Sequence, residues 1–160
     1  MSADDRARAG PVPRGFTLIE MLTVVVILGV LTAIAMPLYR EHASAARRAY
    51  ARATLMDIAA RQARYMALQG VYADKAGQLG LPGRFPLDVL DGQPGGPLPA
   101  GARRVVWYRV SMTLRNNGEG YIASAQPVDG QRDDRCGTFT LDDAGRQSTF
   151  GGSLRPSECW

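Results

Sequence analysis

The alternation of apolar and charged positions changes character twice along this chain. From Met21 to Tyr39, nineteen consecutive residues carry no charge. As a helix they would extend about 29 Å, which matches the hydrocarbon core of a bilayer. Arg6, Arg8 and Arg14 precede the run. The positive-inside bias therefore predicts a cytoplasmic N-terminal segment, one membrane span and an exported C-terminal body.

The helical period continues beyond the apolar run, where polar positions now interrupt it. Small or apolar residues recur there at spacings of four and three: Ala49, Ala53, Met56, Ala60, Ala63 and Ala67. Gly70 follows and suits a helix C-terminus. We predict one helix from about Phe16 to Gln69, whose second half lays this alanine stripe against the rest of the chain.

After Gly70 the pattern changes again. Residues 70–102 are rich in glycine and proline, which predicts a surface loop with a short helical turn near Lys75–Leu79. Alternating positions then predict four strands, at 106–114, 121–125, 136–141 and 146–150. Short links between them favour an antiparallel meander with one face on the helix. The predicted fold class is α+β, a long N-terminal helix packed against a four-stranded antiparallel sheet.

Chain length and cysteine content predict the number of domains and a covalent cross-link. With 160 residues there is room for one globular domain beyond the membrane segment. The even pair of cysteines, Cys136 and Cys159, lies in the part predicted to be exported, which favours a disulfide. Closing a loop of this size stabilises the folded state by about 3 kcal/mol in the chain-entropy treatment.

Candidate chemistry is sparse. His42 is the single histidine, and neither a Gly-x-Ser-x-Gly elbow nor a cysteine–histidine metal pattern occurs in the sequence. The acidic pairs Asp133-Asp134 and Asp142-Asp143 lack the spacing of a calcium loop and are interpreted as turn residues. We therefore expect no catalytic residues, no metal and no cofactor.

The start of the apolar run carries the most specific motif. Glu20 lies just inside it, and a carboxylate in hydrocarbon is costly enough to mark a function with a partner nearby. The sequence Gly15-Phe16-Thr17-Leu18-Ile19-Glu20 resembles the processing motif of type IV pilins, the class III signal peptides. The C-terminal cysteines and their glycines resemble, less specifically, the disulfide-bounded region of minor pilins.

The resemblance implies a processing route and a role for several residues. A prepilin peptidase would cut between Gly15 and Phe16 and methylate the new amine of Phe16. Glu20 would then pair with such an amine and dock the incoming subunit, while Gly29 and Pro37 would weaken the helix in the filament. The expected organisation is a leader at 1–15, a membrane and filament-core helix at 16–39, and a periplasmic domain at 40–160.

The expected function is a structural subunit of a type IV pilus, most like a minor pilin, supporting pilus biogenesis, twitching motility or adhesion. Its partners would be other pilin subunits, the peptidase and the inner-membrane assembly machinery. It would reside in the bacterial inner membrane before assembly and in the extracellular pilus afterwards.

Three alternatives remain open. One is a pseudopilin of a type II secretion system, and another is an anchored enzyme, which the missing catalytic groups disfavour. The third is a competence pilin that binds DNA through Arg47, Arg48 and Arg52. It is disfavoured because no aromatic stacking platform interleaves the arginine-rich face at 47–64, so a solvated face or a subunit contact is expected there.

Overall fold

A computed structural model describes residues 16–90 and 105–160, and the predicted leader at 1–15 and the Pro-Gly-rich segment 93–99 lie outside these residues. A single helix, α1, runs over Leu18–Gln69 and confirms the predicted long helix. Thr17 begins it, with its carbonyl accepting the N–H groups of Glu20 and Met21 at 3.1 and 3.2 Å. Gly70, at φ 74°, ends it by donating to the carbonyl of Met66.

The face of α1 that the protein buries is not the predicted one. The buried residues are Ala51, Thr54, Leu55, Ile58 and Gln62. The predicted alanine stripe lies on the opposite, exposed side, with Met56 48% exposed. Both faces have helical period, but Leu55 and Ile58 remove far more apolar area from water than alanines do, so they decide which side packs.

The sheet has five antiparallel strands in sequence order, rather than the predicted four. They are β1 (Leu87–Val89), β2 (Tyr108–Arg115), β3 (Gly120–Pro127), β4 (Thr138–Asp142) and β5 (Gln147–Phe150). The last four confirm the predicted meander, with boundaries shifted by a few residues. The additional strand, β1, lies inside the predicted loop, where a 3₁₀ turn at Ala76–Leu79 also confirms the expected helical turn.

One hydrophobic core joins the second half of α1 to the inner face of the sheet. Leu55 and Ile58 of the helix belong to the same buried cluster as Tyr108, Ala123 and Phe139 of the three central strands. The chain divides into two units between Arg40 and Glu41, and this core belongs wholly to the second. A short C-terminal helix, α2 (Pro156–Cys159), completes that unit.

A buried glutamine ties α1 to the segment that follows it. The Gln62 side chain is 0% exposed, and its amide nitrogen donates to the carbonyl of Ala73 at 2.8 Å. In return its oxygen accepts the N–H of Ala73 at 2.9 Å. The Gln62 amide thus satisfies both the N–H and the C=O of Ala73, as the backbone of a neighbouring strand would.

Replacing Gln62 by leucine should therefore destabilise the domain. The buried N–H and C=O of Ala73 would lose their partners, and each unsatisfied group costs about 1–3 kcal/mol. We expect the free energy of unfolding of Gln62→Leu to fall by about 2–4 kcal/mol. Denaturation of the full chain in detergent micelles, followed by near-ultraviolet circular dichroism, measures the change. Gln69→Leu, at the exposed end of the same helix, is the control, and equal losses in both variants would contradict this role.

Candidate assembly helix and C-terminal disulfide region

The first half of α1 presents apolar side chains on all sides. Within the described residues, α1 is the helix that is long and apolar enough to cross a membrane. Its large side chains are exposed in the single subunit, for example Leu18 at 83% and Ile34 at 67%. Such a surface requires lipid or other apolar helices around it.

The N-terminal turn of α1 brings together the residues of the processing motif that the structure describes. Phe16 is 75% exposed and immediately precedes the helix. The Thr17 hydroxyl accepts the N–H of Glu20 at 3.3 Å, so threonine is the N-cap. Glu20 lies in the first turn, where the partial positive charge of the helix end favours a carboxylate. Gly15 lies outside the described residues, and cleavage and the docking role of Glu20 stay predictions.

Helix α1 continues without a break through Gly29 and Pro37. A Cβ atom added at Gly29 would meet nothing within 4 Å, so no contact inside the subunit requires glycine there. Pro37 cannot donate the hydrogen bond that the carbonyl of Ala33 would normally accept. The loss of helicity between these positions in a filament remains a prediction about the assembled state.

The predicted disulfide is present and buried. The sulfur atoms of Cys136 and Cys159 are 2.04 Å apart, and the residues are 0% and 3% exposed. The bond fixes α2 and the C-terminal Trp160 beside the sheet. Trp160 donates its indole N–H to the carbonyl of Ser148 at 2.9 Å and meets Phe139 edge-on at 5.6 Å. The disulfide therefore holds the chain end against strand β5.

Asp134 forms a buried polar centre next to the disulfide. The Asp134 side chain is 0% exposed, and Arg48 Nε of α1 donates to both its oxygens at 2.9 and 3.0 Å. The hydroxyl of Tyr108 donates at 2.9 Å, the N–H of Cys136 at 2.7 Å, and the amide of Gln131 also donates. Burial and the nearby carboxylate raise the pKa of Tyr108, which keeps this hydroxyl a donor.

The arginines predicted to form a solvated face instead hold the C-terminal region onto α1. Arg48 binds Asp134, and Arg52 donates to the carbonyl of Cys159 at 2.9 Å. The guanidinium of Arg47 lies 3.3 Å from the ring centroid of Trp107. The expectation of a solvated face at these three residues was therefore wrong. Asp134 does lie among turn residues, with its N–H donating to the carbonyl of Gln131 and its own carbonyl accepting the N–H of Gly137. Its buried contact with Arg48 was not predicted, since no local pattern signals a contact across 86 residues.

The other acidic pair behaves as predicted and closes the turn after β4. Asp142 accepts the N–H groups of Ala144 and Arg146 at 3.1 and 2.9 Å. Burial alone would raise the pKa of Asp142, but the hydrogen bonds and charge of Arg146 lower it. The hydrogen bond from Arg115, at 2.8 Å, lowers the pKa of Asp143. Burial raises the pKa of the adjoining Tyr121 to about 12. Within the described residues, no cluster of side chains fits a metal ion.

An apolar N-terminal helix whose second half packs on an antiparallel meander, with a disulfide near the C-terminus, defines a type IV pilin. The sequence model described as "Type IV minor pilin ComP, DNA uptake sequence receptor" matches residues 37–140. The model of the prokaryotic N-terminal methylation motif matches residues 13–36. The first match covers more than half of the chain, and the chain belongs to this type IV minor pilin family.

Individual relatives agree with this class. The chain is 34% identical to the type IV major pilin protein PilA of Myxococcus xanthus over 74 residues, which are 46% of this chain and 34% of that protein. It is 53% identical to the fimbrial protein EcpB of Eikenella corrodens over 34 residues, 21% of either chain. These matches thus span about a third and a fifth of the relatives' lengths.

Among solved structures, a type IV pilin from Shewanella oneidensis aligns with a TM-score of 0.47 at 20% identity. The alignment covers 73% of this chain and 97% of that one. The matched family and the Myxococcus xanthus relative are both described as type IV pilins, the class to which this chain belongs. The family description also matches the DNA-binding alternative that the sequence analysis disfavoured.

The contact between Arg48 and Asp134 should prove strongly coupled in a double-mutant cycle. Removing either partner leaves a buried charge without compensation, which costs about 3–5 kcal/mol. We expect Arg48→Ala and Asp134→Ala each to lower the free energy of unfolding by about that amount. The double variant should lose much less than the sum, as measured by chemical denaturation.

The pair Arg109 and Asp88 is the matched control. It has the same chemistry and a 3.1 Å contact, but its side chains are 49% and 29% exposed. Exposed pairs typically couple by about 0.2–1 kcal/mol. If the two cycles gave the same coupling energy, the assignment of Asp134 as the buried anchor would be contradicted.

Proposed function

We propose that this chain is made as a prepilin, is cut between Gly15 and Phe16, and joins a type IV pilus as a minor subunit through α1. The observation that carries the proposal is the exposed apolar half of α1, which begins at Leu18 within the processing motif. Residues 40–160 would lie in the periplasm before assembly and on the extracellular pilus afterwards. A prepilin peptidase and the inner-membrane assembly machinery would be its transient partners.

The energetics of assembly favour a specific polar contact. Moving the segment from Leu18 to Tyr39 out of lipid and into a bundle of similar helices exchanges one apolar environment for another. The hydrophobic gain is small, so close packing and polar pairs decide the order of addition. The carboxylate of Glu20 and the new amine of Phe16 would have opposite charges four residues apart in sequence, and neighbouring subunits would offer the same pair.

The second half of α1 supports assembly through the same helix. Its exposed side carries the alanine stripe at Ala49, Ala53, Ala60, Ala63 and Ala67. Small side chains let helix backbones approach closely. Because these alanines contribute nothing to the core of the single subunit, neighbouring subunits would pack against them.

Glu20→Ala tests the assembly role in living cells. We expect normal membrane insertion and processing, because neither depends on the carboxylate, but at least about a tenfold loss of the subunit from sheared pili, equivalent to about 1.4 kcal/mol. Glu41→Ala, an exposed glutamate of the same helix beyond the span, is the control and should be incorporated normally. Quantitative mass spectrometry of sheared pili gives both amounts, and also the N-terminus.

Two results would contradict the proposal. Normal incorporation of Glu20→Ala would remove the docking role of this carboxylate. Detection in mature pili of protein that retains Met1 would contradict cleavage after Gly15, however the Glu20→Ala variant behaves.

DNA binding is the second candidate function, supported by the description of the family. The structure adds an aromatic residue beside basic ones, because the guanidinium of Arg47 lies over the ring of Trp107. Gly130, in the loop that follows β3, lies close to the same ring. Arg132 and Arg135 are exposed in that loop. Arginines beside an aromatic ring suit the phosphates and bases of nucleic acid. Asp129 and Asp133 in the same loop offset the charge, which ranks this function second.

Neutralising Arg132 and Arg135 together tests this candidate without disturbing the core. We expect Arg132→Gln/Arg135→Gln to weaken binding of a labelled DNA duplex by about tenfold at low salt, since each lost phosphate contact lowers both affinity and its salt dependence. Gel retardation of the full chain in detergent measures it. Lys75→Gln/Arg84→Gln removes the same net charge elsewhere on the surface, and equal weakening by both pairs would contradict a specific interface.

A further inference from the structure

The turn between β2 and β3 contains an asparagine followed directly by a glycine. Asn116–Gly118 form a 3₁₀ turn there, and Asn116 and Asn117 both adopt left-handed backbone angles, with φ of 49° and 55°. Asn117 is exposed to solvent, whereas Gly118 is buried. The chain therefore presents a solvated side-chain amide immediately before a residue that has no Cβ atom.

An asparagine before a glycine can react with its own backbone. The amide nitrogen of Gly118 attacks Cγ of Asn117, and its proton passes through solvent to the ammonia that leaves. Water then opens the resulting five-membered ring at either carbonyl, which gives aspartate or isoaspartate. The net reaction consumes one water and releases one ammonia. Glycine favours the attack because no Cβ atom obstructs its nitrogen.

The folded turn holds the two reacting atoms apart. Asn117 has a ψ of 30°, so the nitrogen of Gly118 lies nearly opposite Cβ of Asn117 about the Cα–C bond. Ring closure requires this nitrogen and Cβ on the same side of that bond. Deamidation therefore requires the peptide between Asn117 and Gly118 to rotate, and such a rotation opens the turn.

Contacts with the segment that follows α1 oppose this rotation. The carbonyl of Gly118 accepts the N–H of Tyr72 at 3.0 Å. A Cβ atom added at Gly118 would lie 3.8 Å from Cβ of Val71, so Val71 packs directly on the glycine. The ring of Tyr72 also meets that of Tyr121 in β3 edge-on, with 4.9 Å between the ring centroids. Val71 and Tyr72 thus keep the turn closed.

We propose that Asn117 is a deamidation site which these contacts protect, and that its conversion detaches the segment after α1 from the turn. While the turn is closed, deamidation requires local opening, so its rate falls with the open fraction. Isoaspartate carries the main chain through Cβ and adds one backbone atom before Gly118. This addition displaces the carbonyl that accepts the N–H of Tyr72. The inference is independent of how the subunit is processed or assembled.

The test compares the full chain in detergent micelles with the same chain unfolded in guanidinium, both at mildly alkaline pH. Peptide mapping with electron-transfer fragmentation distinguishes asparagine, aspartate and isoaspartate at each position. We expect Asn117 to convert at least about tenfold more slowly in the folded chain. Asn116 lies in the same turn but precedes a residue with a side chain. It is the internal control and should convert more slowly than Asn117 in the unfolded chain.

Val71→Ala removes the side chain that packs on Gly118. It should accelerate conversion of Asn117 in the folded chain by about threefold or more, because the turn opens more often. Leu68→Ala is the matched control, since Leu68 is 71% exposed near the end of α1 and should leave the rate unchanged. Hydrogen exchange of the purified isoaspartate form then reports the Tyr72 amide, which should lose its protection.

Equal rates for Asn117 in the folded and unfolded chains would overturn the proposal. So would equal rates in Val71→Ala and Leu68→Ala, because the contact with Gly118 would then have no protective role. Conversion of Asn116 as fast as that of Asn117 in the unfolded chain would remove the special reactivity of this pair. Full protection of the Tyr72 amide in the isoaspartate form would contradict detachment of the segment.

Discussion

The folded domain depends on a single buried carboxylate. Asp134 receives donors from the helix, through Arg48, from the central strand β2, through Tyr108, and from the backbone of Cys136 beside the disulfide. A charge removed from water must be compensated by hydrogen bonds. Here the donors of these bonds belong to segments of the chain that are far apart in sequence. Asp134 thereby specifies how helix, sheet and C-terminal loop fit together, in addition to the apolar contacts that drive their burial.

A second constraint is that one helix serves two environments. From Met21 to Tyr39 its side chains are uncharged around the whole circumference, which suits lipid or a helical bundle. Beyond Glu41 only one side is buried, by Leu55, Ile58 and their neighbours. The other side carries alanines, which are apolar enough to pack against another helix yet small enough to remain soluble when exposed. The two halves of this helix therefore suit two different surroundings.

Most elements of the fold could be predicted from periodicity, because their patterns are long. The helix, strands β2 to β5 and the disulfide fall into this class. Strand β1 was missed because three residues between prolines and glycines give no period. The buried face of α1 was wrong because an alanine stripe and a leucine–isoleucine stripe coexist on one helix, and only side-chain size separates them. The partners of Arg47, Arg48 and Arg52 could not be found, since each contact joins residues that share no local pattern.

The disulfide makes the position of the C-terminus dependent on the redox environment of the molecule. Until Cys136 and Cys159 are joined, nothing covalent keeps Trp160 against the carbonyl of Ser148, and the outer strand can fray. Disulfides form and persist in oxidising compartments and not in a reducing cytoplasm. The attachment of the C-terminus at this sheet edge therefore depends on the redox state of the compartment that holds the chain.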